Sequence, residues 1–307
     1  MLHRSVVVVF LLTTLALPSQ LVAQAGGSGL SFLKIGADAR AMAMGDVGVV
    51  TSDLGAAVYY NPALLSDDEN ASITITHNEW VQDLSTEYLG VVVPFSSWTL
   101  GIHMGLTSVE GIEIRDRPGE AQGTFDSRNF AGGLSMAFAL TDGLDVGITA
   151  KYVMEKIYTD AADGYAFDFG ASIDPFEGGD LHGLRFGLAV ANLGSMSELR
   201  YASTTLPTLL RAGASYDIPV PSLRSTLVVT GGVMSVFEDE ATHAALGAEF
   251  NYVNSVYFRA GYQSGYEIKN VSFGAGFAYT SLRFDYAFTP FTESFGAAHT
   301  IALSIRL

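Results

Sequence analysis

Residues 98–107, which read WTLGIHMGLT, carry an apolar side chain at every second position, with Leu100, Ile102 and Met104 separated by glycine or histidine. A two-residue period is typical of a β-strand whose two faces meet different surroundings. Residues 130–140, 271–279 and 300–307 show the same alternation. Extended along the chain, the pattern predicts about fourteen strands, with each boundary placed to within roughly two to four residues.

The two faces of these strands differ in composition. One face is rich in Phe, Tyr, Leu and Val and almost free of charge, whereas the other is mostly Gly, Ala, Ser and Thr. A soluble sandwich would expose Lys and Glu on its outer face, whereas a barrel in lipid needs an apolar outside and a small, polar lumen. We therefore predict an all-β fold, a transmembrane antiparallel β-barrel of about 14 strands over residues 71–307. The charged side chains expected in its lumen are Lys151, Glu155, Asp168, Arg185, Arg211, Glu249, Arg259, Arg283 and Asp285.

The gaps between the predicted strands alternate between long and short. The longest, 109–126 and 195–207, follow odd-numbered strands, whereas the two-residue turns near 96–97, 141–142 and 253–254 follow even-numbered ones. Bacterial barrels have long extracellular loops and short periplasmic turns. The two long gaps are therefore predicted to be extracellular loops.

Composition limits the classes of function. The 307 residues are 49% hydrophobic and 16% charged, with a net charge of −16 and no cysteine. A chain this apolar is not intrinsically disordered, and its negative charge disfavours nucleic acid as a partner. The absence of cysteine excludes disulfides, thiolate chemistry and a lipid-modified N-terminal cysteine.

The first 25 residues have the pattern of a secretory signal peptide. Arg4 precedes an apolar run over residues 6–17, Pro18 breaks that run, and Ala23-Gln24-Ala25 matches a cleavage site. The apolar run is too short to span a bilayer as a helix. We expect residues 1–25 to be removed near Ala25 and the mature protein to reside in the cell outer membrane.

Residues 26–70 do not alternate and differ from the barrel. Residues 37–44 are strong helix formers that end at Gly45, and Asn61 precedes Pro62 as a helix-start device. A fourteen-stranded barrel is wider than its own side chains can fill. We expect this segment to form an N-terminal plug, or hatch, inside the barrel, with a periplasmic extension as the alternative.

Two stretches of this segment closely resemble the N-terminal signature of the PorV/PorQ family of outer-membrane proteins. They read GADARAMAMG at 36–45 and AVYYNPAL at 57–64. The plug-motif residues carrying the resemblance are Gly36, Ala37, Asp38, Arg40, Met44, Gly45, Asn61, Pro62 and Ala63. The resemblance implies a non-enzymatic component of type IX secretion, or of surface attachment of secreted proteins, with secretion machinery or cargo as partners. The family is similar in turn to FadL-type barrels, which implies the alternative of an outer-membrane transporter for hydrophobic small molecules.

The chain lacks the spacings typical of enzymes and metal sites. His77, His103, His182, His243 and His299 form no close pair, and no zinc, phosphate-loop or dinucleotide motif occurs. We expect no catalytic, cofactor-binding or metal residues; the expected contacts are outer-membrane lipid, protein partners and, for the transporter alternative, a hydrophobic ligand. A kink in an early strand near Pro94 would favour transport, whereas sealed walls with exposed apolar loop tips would favour docking of partners.

Overall fold

A computed structural model describes residues 27–81, 83–176, 181–292 and 295–307. The predicted signal peptide and its cleavage site lie outside these residues. Fourteen strands close into one antiparallel barrel in which each strand pairs with its neighbours along the chain and the first pairs with the last, confirming the predicted fold. The strands are β1 Ser72–Glu79, β2 Leu84–Pro94, β3 Thr99–Ile114, β4 Gly123–Thr141, β5 Leu144–Ile157, β6 Asp160–Ile173, β7 Leu184–Met196, β8 Leu209–Val220, β9 Ser225–Val236, β10 Ala241–Tyr252, β11 Val256–Ser264, β12 Val271–Tyr279, β13 Leu282–Pro290 and β14 Ala297–Arg306.

Both ends of the barrel sequence lie at the same mouth, where the Leu307 amide donates to the Ala71 carbonyl at 2.7 Å. We call this end the inner mouth, since bacterial barrels keep their short turns and chain ends in the periplasm. The opposite end, the outer mouth, carries the connections 80–83, 115–122, 158–159, 197–208, 237–240, 265–270 and 291–296. Within 197–208, Glu198–Leu199 pairs with Ala202–Ser203 as a small hairpin.

The predicted loop at 109–126 is wrong in its extent. β3 continues to Ile114 and β4 begins at Gly123, so that only 115–122 connects them. The pairing shifts between Val109 and Ile112, and Gly111 within this bulge has φ +70°. A bulge inserts an unpaired residue and interrupts the two-residue period. The alternation that identifies strands elsewhere is therefore broken here, although the backbone remains extended.

Side chains on the outer face of the barrel are large and apolar. Ile102, Met104 and Leu106 on β3 are exposed, while their neighbours Gly101, His103 and Thr107 point into a filled lumen. The same alternation recurs on β6, with Tyr165, Phe167 and Phe169 outside, and on β12, with Phe273 and Phe277 outside. An apolar belt of this kind faces lipid hydrocarbon.

Residues 27–71, the luminal segment, lie inside the barrel. Three short α-helices occur there, α1 Ala39–Ala43, α2 Gly48–Thr51 and α3 Ala57–Tyr60, together with 3₁₀ turns at Ser31–Lys34, Leu54–Ala56 and Pro62–Asp67. Helices of four or five residues are not stable alone, so their contacts with the barrel wall must hold them. No helix in the described ranges has the length and apolar character needed to cross a membrane.

Candidate functional site

Glycines in the barrel wall allow the luminal segment to pack directly against the backbone of the strands. A Cβ at Gly247 on β10 or Gly261 on β11 would clash with the backbone of Met44 and Gly45. On β5 and β6, a Cβ at Gly147 or Gly170 would clash with 61–63. The small-residue lumen predicted from the sequence is therefore the surface against which this segment packs.

The predicted motif at 36–45 builds the first half of this contact. Asp38 caps α1, its carboxylate accepting from the Arg40 amide at 3.0 Å and from the Ser52 hydroxyl at 3.1 Å. Met44 is fully buried, and Gly45 ends the helix with φ +74°, a conformation that favours glycine.

The other two residues of that motif, Gly36 and Ala37, directly precede Asp38 and α1 in the sequence. Gly36 lies against the Asp46 carboxylate and the Tyr60 hydroxyl, where a Cβ would not fit, and Ala37 is buried beside it. The Tyr60 hydroxyl donates to Asp46 at 2.5 Å. Burial raises the pKa of the Asp46 carboxyl, with Lys269 and Arg211 opposing that rise.

A closed ring of ion pairs joins the luminal segment to three strands. Glu249 on β10 lies between Arg40 at 2.8 Å and Arg259 on β11 at 2.6 Å. Arg259 continues to Asp285 on β13 at 2.7 Å. The members of the ring, in order, are Arg40, Glu249, Arg259, Asp285, Arg283 and Asp53.

The luminal segment closes this ring through Asp53. Asp53 accepts from both terminal nitrogens of Arg283 at 2.6 and 2.7 Å and lies 3.3 Å from Arg40. Burial alone would raise the pKa of Asp53, but Arg283 and Arg40 hold it below its usual range. Three guanidinium groups therefore neutralise three carboxylates, which satisfies the requirement that buried charges be paired.

Asp38 lies beside this ring, and in the part of the chain that the structure describes it forms no ion pair. Burial raises the pKa of its carboxyl to about 6, with nearby Arg283 opposing the shift and Asp53 adding to it. Its role in the described structure is to cap α1 and hold Ser52. Asp38 and Asp46 both accept hydrogen bonds, Asp38 from the Arg40 amide and the Ser52 hydroxyl and Asp46 from the Tyr60 hydroxyl, whereas Arg40 pairs with the lumen charge Glu249.

Asn61, Pro62 and Ala63 fix the second half of the luminal segment. The Asn61 side chain accepts from the Ala63 amide at 3.1 Å and so caps the turn Pro62–Asp67. Its amide nitrogen donates to the Val49 carbonyl at 2.9 Å and to the Ala171 carbonyl on β6 at 3.0 Å. One buried side chain thus connects α2, the 3₁₀ turn and the barrel wall.

The other predicted lumen charges form separate contacts. Buried Lys151 on β5 pairs with Asp168 on β6 at 2.7 Å and also bonds Asn192. Asn192 belongs to a bulge in β7, where the backbone pairing with β6 is interrupted. Its backbone amide donates instead to the Asp168 carboxylate at 2.7 Å.

Three charges of this set reach other elements. Arg211 lies over the rings of Tyr59 and Tyr60, with centroids 5.2 and 5.6 Å away. At the inner mouth Arg185 pairs with Asp67 at 2.5 Å. Glu155 accepts from the Thr204 hydroxyl of the loop 197–208 at 2.9 Å.

Sequence reasoning missed Asp53, Asn192 and the tyrosine pair Tyr59 and Tyr60. Asp53 lies in a short polar turn with no periodic signal, and its bidentate partner Arg283 is 230 residues away in sequence. The position of Tyr59-Tyr60 directly before Asn61-Pro62 was the one available signal, because aromatic residues in an otherwise small-residue segment need a partner.

A comparison with known protein families gives this geometry its context. The sequence model of the family described as Type IX secretion system protein PorV matches residues 21–228, more than half of the chain. The chain belongs to the PorV family. The match takes in the whole luminal segment and strands β1 to β8, and this PorV-family protein is an outer-membrane β-barrel component of type IX secretion.

Solved structures give the same fold. The CymD monoaromatic hydrocarbon channel is 13% identical, with a TM-score of 0.59 over 89% of this chain and 97% of CymD. The Pseudomonas putida toluene transporter TodX is also 13% identical, with a TM-score of 0.59 over 88% of this chain and 97% of TodX. At this identity the likeness shows the fold alone. No curated protein sequence matches the chain significantly.

The wall of the PorV-family barrel is continuous along β2 up to Pro94, the position at which a kink would favour transport. β2 pairs with β1 and β3 without a register shift as far as Val92 and Pro94, respectively. Register shifts occur instead within β3–β4, β4–β5 and β6–β7. Within the described ranges, no group of three His, Cys, Asp or Glu side chains is placed to hold a metal ion.

Proposed function

We propose that this PorV-family protein serves type IX secretion as a closed barrel that binds protein partners at its outer mouth. The observation that carries the proposal is the separation of the two mouths by the luminal segment. A cavity of about 420 Å³ opens at the inner mouth and one of about 240 Å³ at the outer mouth, and they share no lining residue.

Exposed aromatic side chains at the outer mouth support partner binding. Four different outer connections carry the exposed side chains Tyr158, Tyr201, Phe237 and Phe295, and Tyr201 is 85% exposed. Aromatic side chains are enriched at the centres of protein interfaces because they bury a large area at low entropic cost. Their position on loops, above the strands, is what a docking surface requires.

The proposal assigns each segment a role. Residues 1–25 act as a signal peptide cleaved near Ala25, residues 26–70 as a plug and residues 71–307 as the barrel. The plug-motif residues then hold the plug together with Arg185, Arg211 and the lumen charges of the ion-pair ring, whereas Lys151, Asp168 and Glu155 hold the wall and an outer loop; none of these residues takes part in catalysis. The ring of ion pairs and the Asn61 contacts support this assignment, because they tie the segment to the wall at both halves.

The test combines gene deletion with complementation. Deletion should deplete proteins that depend on type IX secretion from the cell surface, and the wild-type gene should restore them. A Tyr201→Ser, Phe237→Ser double variant should restore them poorly, because it removes apolar area from the outer mouth. The matched control is Phe95→Ser with Leu223→Ser, which removes exposed apolar area at the inner mouth.

Two results would count against this function. Unchanged surface levels after deletion would exclude a role in secretion. Liposomes containing the purified protein should also fail to accumulate toluene faster than protein-free liposomes, since the two cavities share no lining residue. Rapid protein-dependent uptake would instead favour the transporter alternative.

A further inference from the structure

The cavity at the outer mouth has an aromatic and aliphatic lining. It lies between the start of the luminal segment and the loops after β1, β9, β11 and β13, and its volume is about 240 Å³. Its apolar walls are Ile35, Trp80, Val236, Ile268 and Phe291. A closed cavity of ~150 Å³ accommodates benzene in other proteins, so this one has room for a ring and a short chain.

One cation in this cavity lacks an ion-pair partner. Lys269 is only 9% exposed, and its ammonium lies 4.1 Å from the ring centroid of Tyr266 and 5.2 Å from that of Trp80. Among the described residues, which exclude 293–294, no carboxylate pairs with it. Burial lowers the pKa of this ammonium, with Asp46 opposing the shift.

The other charges that line the cavity neutralise each other. Lys34 pairs with Asp239 at 2.7 Å, and Ser28 donates to the same carboxylate. His243 stacks on Tyr266 with ring centroids 3.7 Å apart. Among the described lining residues, these pairings leave one net positive charge, on Lys269, in a cavity with apolar walls at the outer mouth.

We propose that this cavity binds a carboxylate carried on a small apolar group, with Lys269 as the counter-ion and Trp80 and Phe291 as the walls around the apolar part. A carboxylate there would offset the desolvation of the ammonium and form a charge-assisted hydrogen bond. Either a free aromatic acid or the C-terminal carboxylate of a peptide ending in an apolar residue provides this chemistry. The proposal does not depend on the role in secretion.

The chain offers a direct optical probe. It has two tryptophans, Trp80 in the cavity and Trp98 at the inner mouth, where Trp98 stacks on Phe95 at 4.4 Å. A Trp98→Phe variant folded in detergent micelles therefore reports on the cavity alone. Its fluorescence would be titrated with 3-phenylpropionate and with 3-phenylpropanol, the neutral match. N-acetyl-glycyl-phenylalanine with a free or an amidated carboxyl distinguishes the peptide source from the free acid.

The free acids should bind about tenfold or more tightly than their neutral matches, the advantage of a charge-assisted contact. Lys269→Met should abolish that preference, whereas Lys156→Met, the same change at an exposed end of β5, should retain it. Binding of the peptide acid alone would support the site and identify a peptide as its source. Equal affinity for acid and alcohol in the unsubstituted cavity, or no binding of any acid at millimolar concentration, would overturn the proposal without depending on a variant.

Discussion

At the residue scale, each buried charge of the ion-pair ring faces an opposite charge on either side. Arg259 has a fully buried side chain, yet it bonds Glu249 on one side and Asp285 on the other. Glu249 is in turn shared with Arg40 of the luminal segment. A buried pair adds little stability compared with apolar packing, but an unpaired buried charge is costly. The ring therefore specifies one position for the segment, because a displacement of Arg40 or Asp53 would break the two ion pairs that each of them makes.

Replacement of Arg259 by Met tests this requirement. It removes the central cation, so that Glu249 keeps only Arg40 and Asp285 keeps only Arg283. We expect the free energy of unfolding to fall by about 3 kcal/mol, the lower end for breaking a buried pair, because each carboxylate retains one partner. Urea unfolding of the barrel in lipid vesicles measures this loss.

The control is Arg128→Met, which breaks an exposed pair with Asp126 at the outer end of β4. An exposed pair contributes at most about 1 kcal/mol, so this variant should unfold close to the wild type. Equal unfolding of the two variants would show that the ring does not hold the segment.

At the element scale, the strands follow from local sequence and the luminal segment does not. Alternation predicted all fourteen strands because each face of a strand meets one environment throughout its length. It failed at the bulge near Gly111, where an inserted residue changes which face a side chain occupies. The sequence also predicted the Asn61 cap, which is a contact within three residues. The pairing of Asp53 with Arg283 could not be predicted, because it depends on the register of a strand more than 200 residues away.

The packing of the 61–63 turn against β6 requires a glycine at position 170. Gly105 on β3 is a matched position at which that packing does not require glycine. A Cβ at Gly170 would clash with the Asn61 side chain and come within 2.9 Å of Pro62, whereas a Cβ at Gly105 would meet its nearest atom at 3.9 Å. Gly170→Ala should therefore displace the 61–63 turn and lower the free energy of unfolding by about 1–3 kcal/mol, the usual cost of overpacking. Limited proteolysis of the luminal segment and urea unfolding measure the two effects. Gly105→Ala should leave both unchanged, and identical behaviour of the two variants would contradict this account of the packing.

At the scale of the whole molecule, the luminal segment runs from one mouth of the barrel to the other. Its first described residues bind outer loops, with the Ser28 amide donating to Asp239 at 2.8 Å and the Gly29 amide to the Thr205 carbonyl at 2.9 Å. Its last residues lie at the inner mouth, where Asp67 pairs with Arg185. The segment is therefore held at both ends and in the middle, and it occupies the lumen between the two mouths. The segment and the outer loops therefore form one surface toward the outside.

This path through the barrel predicts which side of the membrane reaches Ser28. The chain has no cysteine, so a single introduced thiol is labelled without background. Ser28→Cys should react with a membrane-impermeant maleimide in intact cells, though more slowly than Tyr201→Cys, because Ser28 is half-buried and Tyr201 is not. Asn254→Cys, in the inner turn after β10, should react only after the outer membrane is permeabilised. If Ser28→Cys were protected in intact cells and labelled together with Asn254→Cys, the segment would enter from the inner mouth, and the outer cavity would lose Lys34 and Ile35 from its wall.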